Sequence, residues 1–163
     1  MAEFYAGLPD WLRWFWADQP VKAALIMLAI CAQVLLTLRV YDRVGRARMK
    51  AGRERRITAD DYRIVRNEPD DLALFTRALA NQFELPVLFF AVAILSLAAI
   101  VTWLAPLAAW TFVALRMLHV REMLGENRVM RRRQLFLYGT IPVLVLVLEV
   151  AFTAIVTLLY AVT

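Results

Sequence analysis

Arg77, Asn81 and Glu84 stand at one end of an apolar stretch and Arg116 and His119 at the other, and residues 85–115 between them hold no charged side chain. An ionisable group at the centre of a membrane helix costs about 2.5–3.5 kcal/mol, so groups kept at the mouth of a span point to a site. At 100° per residue, a continuous helix places Arg77, Asn81 and Glu84 at about 0°, 40° and 340°, on one stripe. Arg116 and His119, three residues apart, share a side of the next helix, and the run Arg131-Arg132-Arg133 opens another at the same depth. Such a cluster suits a small ligand with several carboxylates and an amine. Arginine grips carboxylates through paired hydrogen bonds, and Glu84 can hold an ammonium. The same residues also allow a plainer arrangement, in which Glu84 pairs with Arg77 or Arg116 and joins helices.

The elements that must position these groups are transmembrane. Of 163 residues, 62% are hydrophobic and the mean hydropathy is +0.60, well above ordinary soluble usage. The reading is an all-α integral membrane protein, one transmembrane domain over residues 1–163. Met1-Ala2-Glu3-Phe4 lacks the basic start of a signal peptide, so the first apolar segment is expected to remain in the mature chain. The single cysteine, Cys31, excludes an intrachain disulfide, and the single histidine excludes a two-histidine haem or zinc site within one subunit. No metal site is expected.

Four spans fit a hydrocarbon core of about 30 Å, at about residues 19–38, 81–103, 106–120 and 135–162. Residues 85–115 as one helix would be about 46 Å long, and Trp103-Leu104-Ala105-Pro106 supplies a turn that makes them a hairpin. All 19 lysines and arginines except Arg13 and Lys22 fall within residues 39–77 and 116–133. A four-helix bundle puts both basic loops on the cytoplasmic side and both termini outside, as the positive-inside rule requires; three spans would separate them. The tryptophans Trp11, Trp14, Trp16, Trp103 and Trp110 then lie toward the outer interface. Each arm of the hairpin must borrow a turn from its polar flank to cross, which draws Arg77, Asn81, Glu84, Arg116 and His119 into the inner third of the membrane.

Residues 39–70 read as a solvated cytoplasmic connector, with a short helix at Thr58-x-x-Asp61. The second helix starts near Asn67-Glu68-Pro69-Asp70-Asp71, which offers a cap, a first-turn proline and acids for the positive helix end. The acids of this region offset its arginines, so it is a topology signal and not a nucleic-acid surface. Lys22 and Glu149 reach similar depths near the outer side and are expected to form a structural ion pair.

The residues resemble the MAPEG family, the membrane-associated proteins of eicosanoid and glutathione metabolism, and especially its bacterial branch. The likeness rests on Arg77-x-x-x-Asn81-x-x-Glu84 running into Leu85-Pro86-Val87-Leu88-Phe89-Phe90, on Arg116-x-x-His119, and on the basic residues 127–133 followed by Phe136 and Gly139. It implies a homotrimer of four-helix bundles in the bacterial inner (cytoplasmic) membrane, with glutathione as co-substrate held at subunit interfaces on the cytoplasmic side. It further implies transfer of glutathione to lipophilic electrophiles, or reduction of lipid hydroperoxides. Residue by residue, Arg77, Asn81 and Glu84 would hold the tripeptide, Arg116 and His119 would line the same pocket, and Arg132 would stabilise the thiolate as the catalytic residue. Ala80 stands where several relatives carry an arginine, and Met123 where they carry a tyrosine. The alternative is a non-catalytic lipid-binding protein, or accessory subunit of a larger membrane complex, on the same fold.

Overall fold

A computed structural model describes residues 18–58, 60–62 and 68–161. The described residues are all helical, without a strand: α1 (Gln19–Arg53), a short 3-10 turn (Asp60–Tyr62), α2 (Asp70–Ala80), α3 (Leu85–Ala98), α4 (Leu104–Leu124) and α5 (Val129–Ala161). Three stretches are long and apolar enough to cross a membrane: Gln19–Arg53, Asp70–Ala98 and Val129–Leu159. The remaining long helix, α4, carries Arg116, His119, Arg121 and Glu122 in its C-terminal half, and it buries all of these but Arg121. Lipid-side positions stay apolar and exposed, as at Leu35, Leu107 and Leu148. This is a membrane helical bundle. Its core is stitched by Phe89 of α3 stacked on Phe112 of α4 at 4.2 Å, with Ile26 and Leu146 packed into the same cluster.

α1 runs about four turns past the point where its uncharged stretch ends at Arg39, where the sequence reading expects a loop. Val40, Val44, Ala47 and Ala51 recur at helical spacing within this charged segment and give it an apolar stripe. That stripe packs Val40 and Val44 against Ala78, Val120 and Met123, and Ala51 against Ile57 and Leu72. The 3-10 turn forms where expected, with the Asp61 carboxylate accepting from the Thr58 amide at 2.6 Å and its hydroxyl at 2.9 Å. These bonds hold the Asp61 carboxyl below its ordinary pKa. Pro69, not a residue of the first turn, is the residue that precedes α2; Asn67 lies outside the described residues, as do Trp11, Trp14 and Trp16.

The second span is two helices. Pro86 has no N–H to offer the Gln82 carbonyl and its ring clashes with it, so the chain breaks over residues 81–84 before α3 begins. Gln82 and Phe83 tighten onto the carbonyls of Leu79 and Ala80 at 2.9 Å. The Gln82 side chain accepts from Gln33 at 3.2 Å, a buried pair that ties the break to α1.

The turn between α3 and α4 lies at residues 99–103, earlier than the proline indicated; Pro106 sits in the first turn of α4, where its missing N–H costs nothing. Non-helical backbone at membrane depth must be satisfied by side chains. Gln19 exchanges two hydrogen bonds with Val101 at 2.9 and 3.1 Å, and Lys22 donates to the Val101 carbonyl at 3.2 Å. Glu149 accepts from the Thr102 amide at 2.9 Å and its hydroxyl at 2.5 Å, and Thr153 donates to the Ile100 carbonyl. Lys22 and Glu149 thus meet at this segment, each holding its backbone, and the two opposite charges act on one another there. Lys22 also lies 5.5 Å from the centroid of the Trp103 ring, within cation–π range.

Candidate functional site

The break in the second span sets the site. With the helical ladder interrupted after Ala80, the Asn81 carbonyl is released and accepts a 2.6 Å hydrogen bond from Arg116 Nη2. Arg116, 1% exposed, thereby caps the negative end of α2 from α4. It also feels the charge of Glu84. Asn81, whose amide still bonds the Arg77 carbonyl at 3.0 Å, keeps the helical stripe with Arg77, whereas Glu84 leaves it; the turn at residues 81–84 nonetheless delivers all three to one place.

That place is a cleft of about 420 Å³ at the basic end of the bundle. Arg77, Ala80, Asn81 and Glu84 form one wall, His119 and Met123 of α4 the floor, and Val129, Arg132, Arg133 and Phe136 of α5 the other wall. Arg116 is not part of the lining; it stands behind Asn81. Arg77 and Glu84 are exposed, and among the described residues neither enters an ion pair within 4.0 Å or a side-chain hydrogen bond. The arrangement in which Glu84 merely pairs with Arg77 or Arg116 is therefore not the one adopted. Asn81 Nδ2 rests on Met123 Sδ at 3.3 Å, a weak acceptor that a ligand oxygen would replace with gain. His119, 3% exposed, has its ring 6.1 Å from Phe136, and its Nδ1 has no hydrogen-bond partner among the described residues.

The three consecutive arginines separate. Arg132 and Arg133 face the cleft, whereas Arg131 turns to the other side of the hairpin, 3.5 Å from Glu122. Arg132 Nη1 donates to Asn127 Oδ1 at 2.7 Å, and the rest of its fork makes no further hydrogen bond among the described residues. Asn127, in the left-handed region at φ 50°, is held by its amide on the Glu122 carbonyl at 2.8 Å. The Glu122 carboxylate takes Arg128 N at 3.1 Å and Nε at 3.0 Å, fixing the loop at residues 125–128. Sequence reasoning missed Glu122, although it is the first acid after Glu84 and six residues before Arg128. It missed the Gln33–Gln82 pair as well, whose signal was a lone amide inside an otherwise apolar run.

This loop also explains Gly125. A Cβ there would lie 2.8 Å from the Arg121 carbonyl oxygen, a backbone atom that cannot yield. Gly125→Ala is expected to lower stability by about 1–3 kcal/mol through the forced backbone shift. Thermal unfolding in detergent checks it, and an unchanged midpoint would mean the loop is free to move.

Over residues 24–152 the chain matches the MAPEG family. It belongs to that family. No curated protein and no solved structure matches it. The match takes in every residue of the cleft, so the open polar pocket described above lies inside the part of the chain that defines a MAPEG protein. Membership carries with it a membrane setting and, in general terms, a connection to glutathione and eicosanoid chemistry. Within this MAPEG bundle, Ala80 and Met123 both face the cleft and so bear directly on what it holds.

Proposed function

We propose that this MAPEG protein is a membrane-embedded glutathione-dependent transferase or peroxidase that activates the glutathione thiolate against a lipophilic electrophile or hydroperoxide. One observation carries the reading: Arg77, Arg132 and Arg133 surround a single cleft with Glu84 and His119, and leave room between them. A volume of about 420 Å³ falls within the range of small-molecule sites. Arg77 and Arg133 take the carboxylates of the tripeptide, Glu84 its ammonium, and Asn81 a peptide oxygen. Arg132 faces the sulfur. Arg116 acts through Asn81 and not by touching the ligand. The apolar residues Val129, Met123 and Phe136 line the side on which a lipid-soluble partner would approach from the bilayer. Trimeric assembly in a bacterial inner membrane, with the cleft on the cytoplasmic side, is the arrangement that the basic loops and the family likeness support.

Isothermal titration of the purified protein with millimolar glutathione tests this, and absence of binding ends it. Where wild type binds, Glu84→Ala is expected to weaken affinity about tenfold by removing the ammonium partner. Ala80 and Met123 give the second reading, a non-catalytic accessory subunit or lipid-binding protein, its support, because an arginine clamp and a hydroxyl are both missing from the wall. That reading expects no titration heat at all.

A further inference from the structure

Arg121 lies two residues past His119, about 200° farther round α4 at 100° per residue, so it faces away from the cleft just described. On that opposite side it joins Arg39 and Arg43 of α1 around a groove of about 500 Å³ between the two helices. The floor is Leu36, Val40, Met117, Leu118 and Leu124, and among the described residues no acidic side chain lines it. All three arginines are exposed, and among the described residues none has an ion pair within 4.0 Å or a side-chain hydrogen bond. Other exposed arginines nearby are matched: Arg46 with Asp42, and Arg128 with Glu122 and Glu126.

The order of the lining along the bundle matters. Residues 23–38 hold no charge, so Arg39 marks the level at which α1 leaves the hydrocarbon, and Leu36 lies one turn below it. On α4, Met117 is 56% and Leu118 46% exposed, one turn below Arg121. The groove is thus cationic at interface depth and apolar beneath, in the sequence in which a phospholipid presents its own parts. We infer that it binds one anionic phospholipid, the phosphate on Arg39, Arg43 and Arg121 and an acyl chain along Leu36, Met117 and Leu118. Guanidinium forks match phosphate oxygens through paired hydrogen bonds, and basic pockets between helices on the cytoplasmic side select such headgroups. A soluble anion would gain nothing from the apolar half. A second copy of the chain docked in the same way would bring arginines against arginines. The inference stands apart from the glutathione cleft, with which the groove shares no residue.

Native mass spectrometry of the full chain, released from nanodiscs of equal parts phosphatidylglycerol and phosphatidylcholine, tests it. Phosphatidylglycerol is expected to stay bound in preference, and the R39Q/R43Q/R121Q variant to retain at least about tenfold less of it. The single R43Q variant, at an exposed position that leaves folding intact, should show a smaller loss in the same direction, and R53Q none. Equal retention of the two lipids, or full retention by the triple variant, overturns the proposal. So does displacement of the lipid by millimolar inorganic phosphate, which would mark a site for a soluble anion. A triple variant that changes oligomeric state while keeping its lipid would assign the groove to a second copy and equally overturn it.

Discussion

Arg132→Ala is expected to lower the rate of glutathione conjugation to a hydrophobic electrophile by about 10²–10³-fold, the loss seen when one donor to a developing or bound anion is removed. Affinity for glutathione should change far less. The asymmetry follows from the proposed arrangement, in which Arg77, Arg133 and Glu84 would hold the carboxylates and ammonium, and Arg132 would offer the sulfur the part of its fork that Asn127 does not use. A cation beside a thiol stabilises the deprotonated form, so the bound thiol should ionise below its free value of about 8.5, and the active fraction at neutral pH should rise. In the variant that ionisation should return toward the free value, shifting the pH–rate profile to higher pH. Thiolate absorbance in the ultraviolet, followed against pH, reads this directly. Arg132→Lys should recover part of the ionisation but less of the rate, because an ammonium cannot share one planar fork between Asn127 and the ligand. If Arg132→Ala and Glu84→Ala cost affinity equally and neither moves the thiolate titration, the division of labour between them is wrong.

Much of this architecture was legible because a bilayer leaves a chain few choices. The uncharged run at residues 85–115 and the clustering of basic residues already required a hairpin within a helical bundle, and the polar groups at its mouth had to turn inward. Arg77, Asn81, Glu84 and His119 were nameable from their spacing, and Arg132 from the family resemblance. How they come together was not, because the argument from helical angles assumed a continuous second helix. Pro86 breaks that helix, and the break both redirects Glu84 and frees the carbonyl that Arg116 occupies. Arg116 therefore stands behind the wall and not in it, a difference that depends on one tertiary hydrogen bond that no residue pattern encodes. The extension of α1 was missed for another reason. Its arginines dominated the reading of residues 39–53, while the weaker signal at Val40, Val44, Ala47 and Ala51 carried the packing. Proline at position 106 was read as a turn, although the first turn of a helix accepts proline equally well.

Arg116→Met is expected to destabilise the bundle by about 1–3 kcal/mol, the stranded Asn81 carbonyl outweighing the relief of Arg116 Nε and Nη1, which are buried without a partner among the described residues. Three contributions compete, and their sizes decide which dominates. Losing the 2.6 Å bond leaves the Asn81 carbonyl without a donor at a buried helix end, worth about 1–3 kcal/mol. Removing a 1% exposed guanidinium strips packing from the centre of the inner bundle, which methionine restores in part because its length is similar and its thioether adaptable. The third contribution, stranding the Glu84 charge, is small: Glu84 is exposed, and exposed charge pairs contribute about 0–1 kcal/mol. Adding Glu84→Gln to the Arg116→Met background should accordingly recover less than about 0.5 kcal/mol. Thermal unfolding in detergent of the two single variants and the double one supplies the comparison. A double variant restored to wild-type stability would show that Arg116 serves as the counter-charge of Glu84 and not as the cap of α2. Glutathione titration adds a second readout, since a cap that positions Asn81 and Glu84 should weaken binding when lost even though Arg116 does not line the cleft. Arg116→Lys, which keeps the charge but presents a compact ammonium on a shorter stem, should recover little of either, because reaching the Asn81 carbonyl from α4 requires the length of the guanidinium arm.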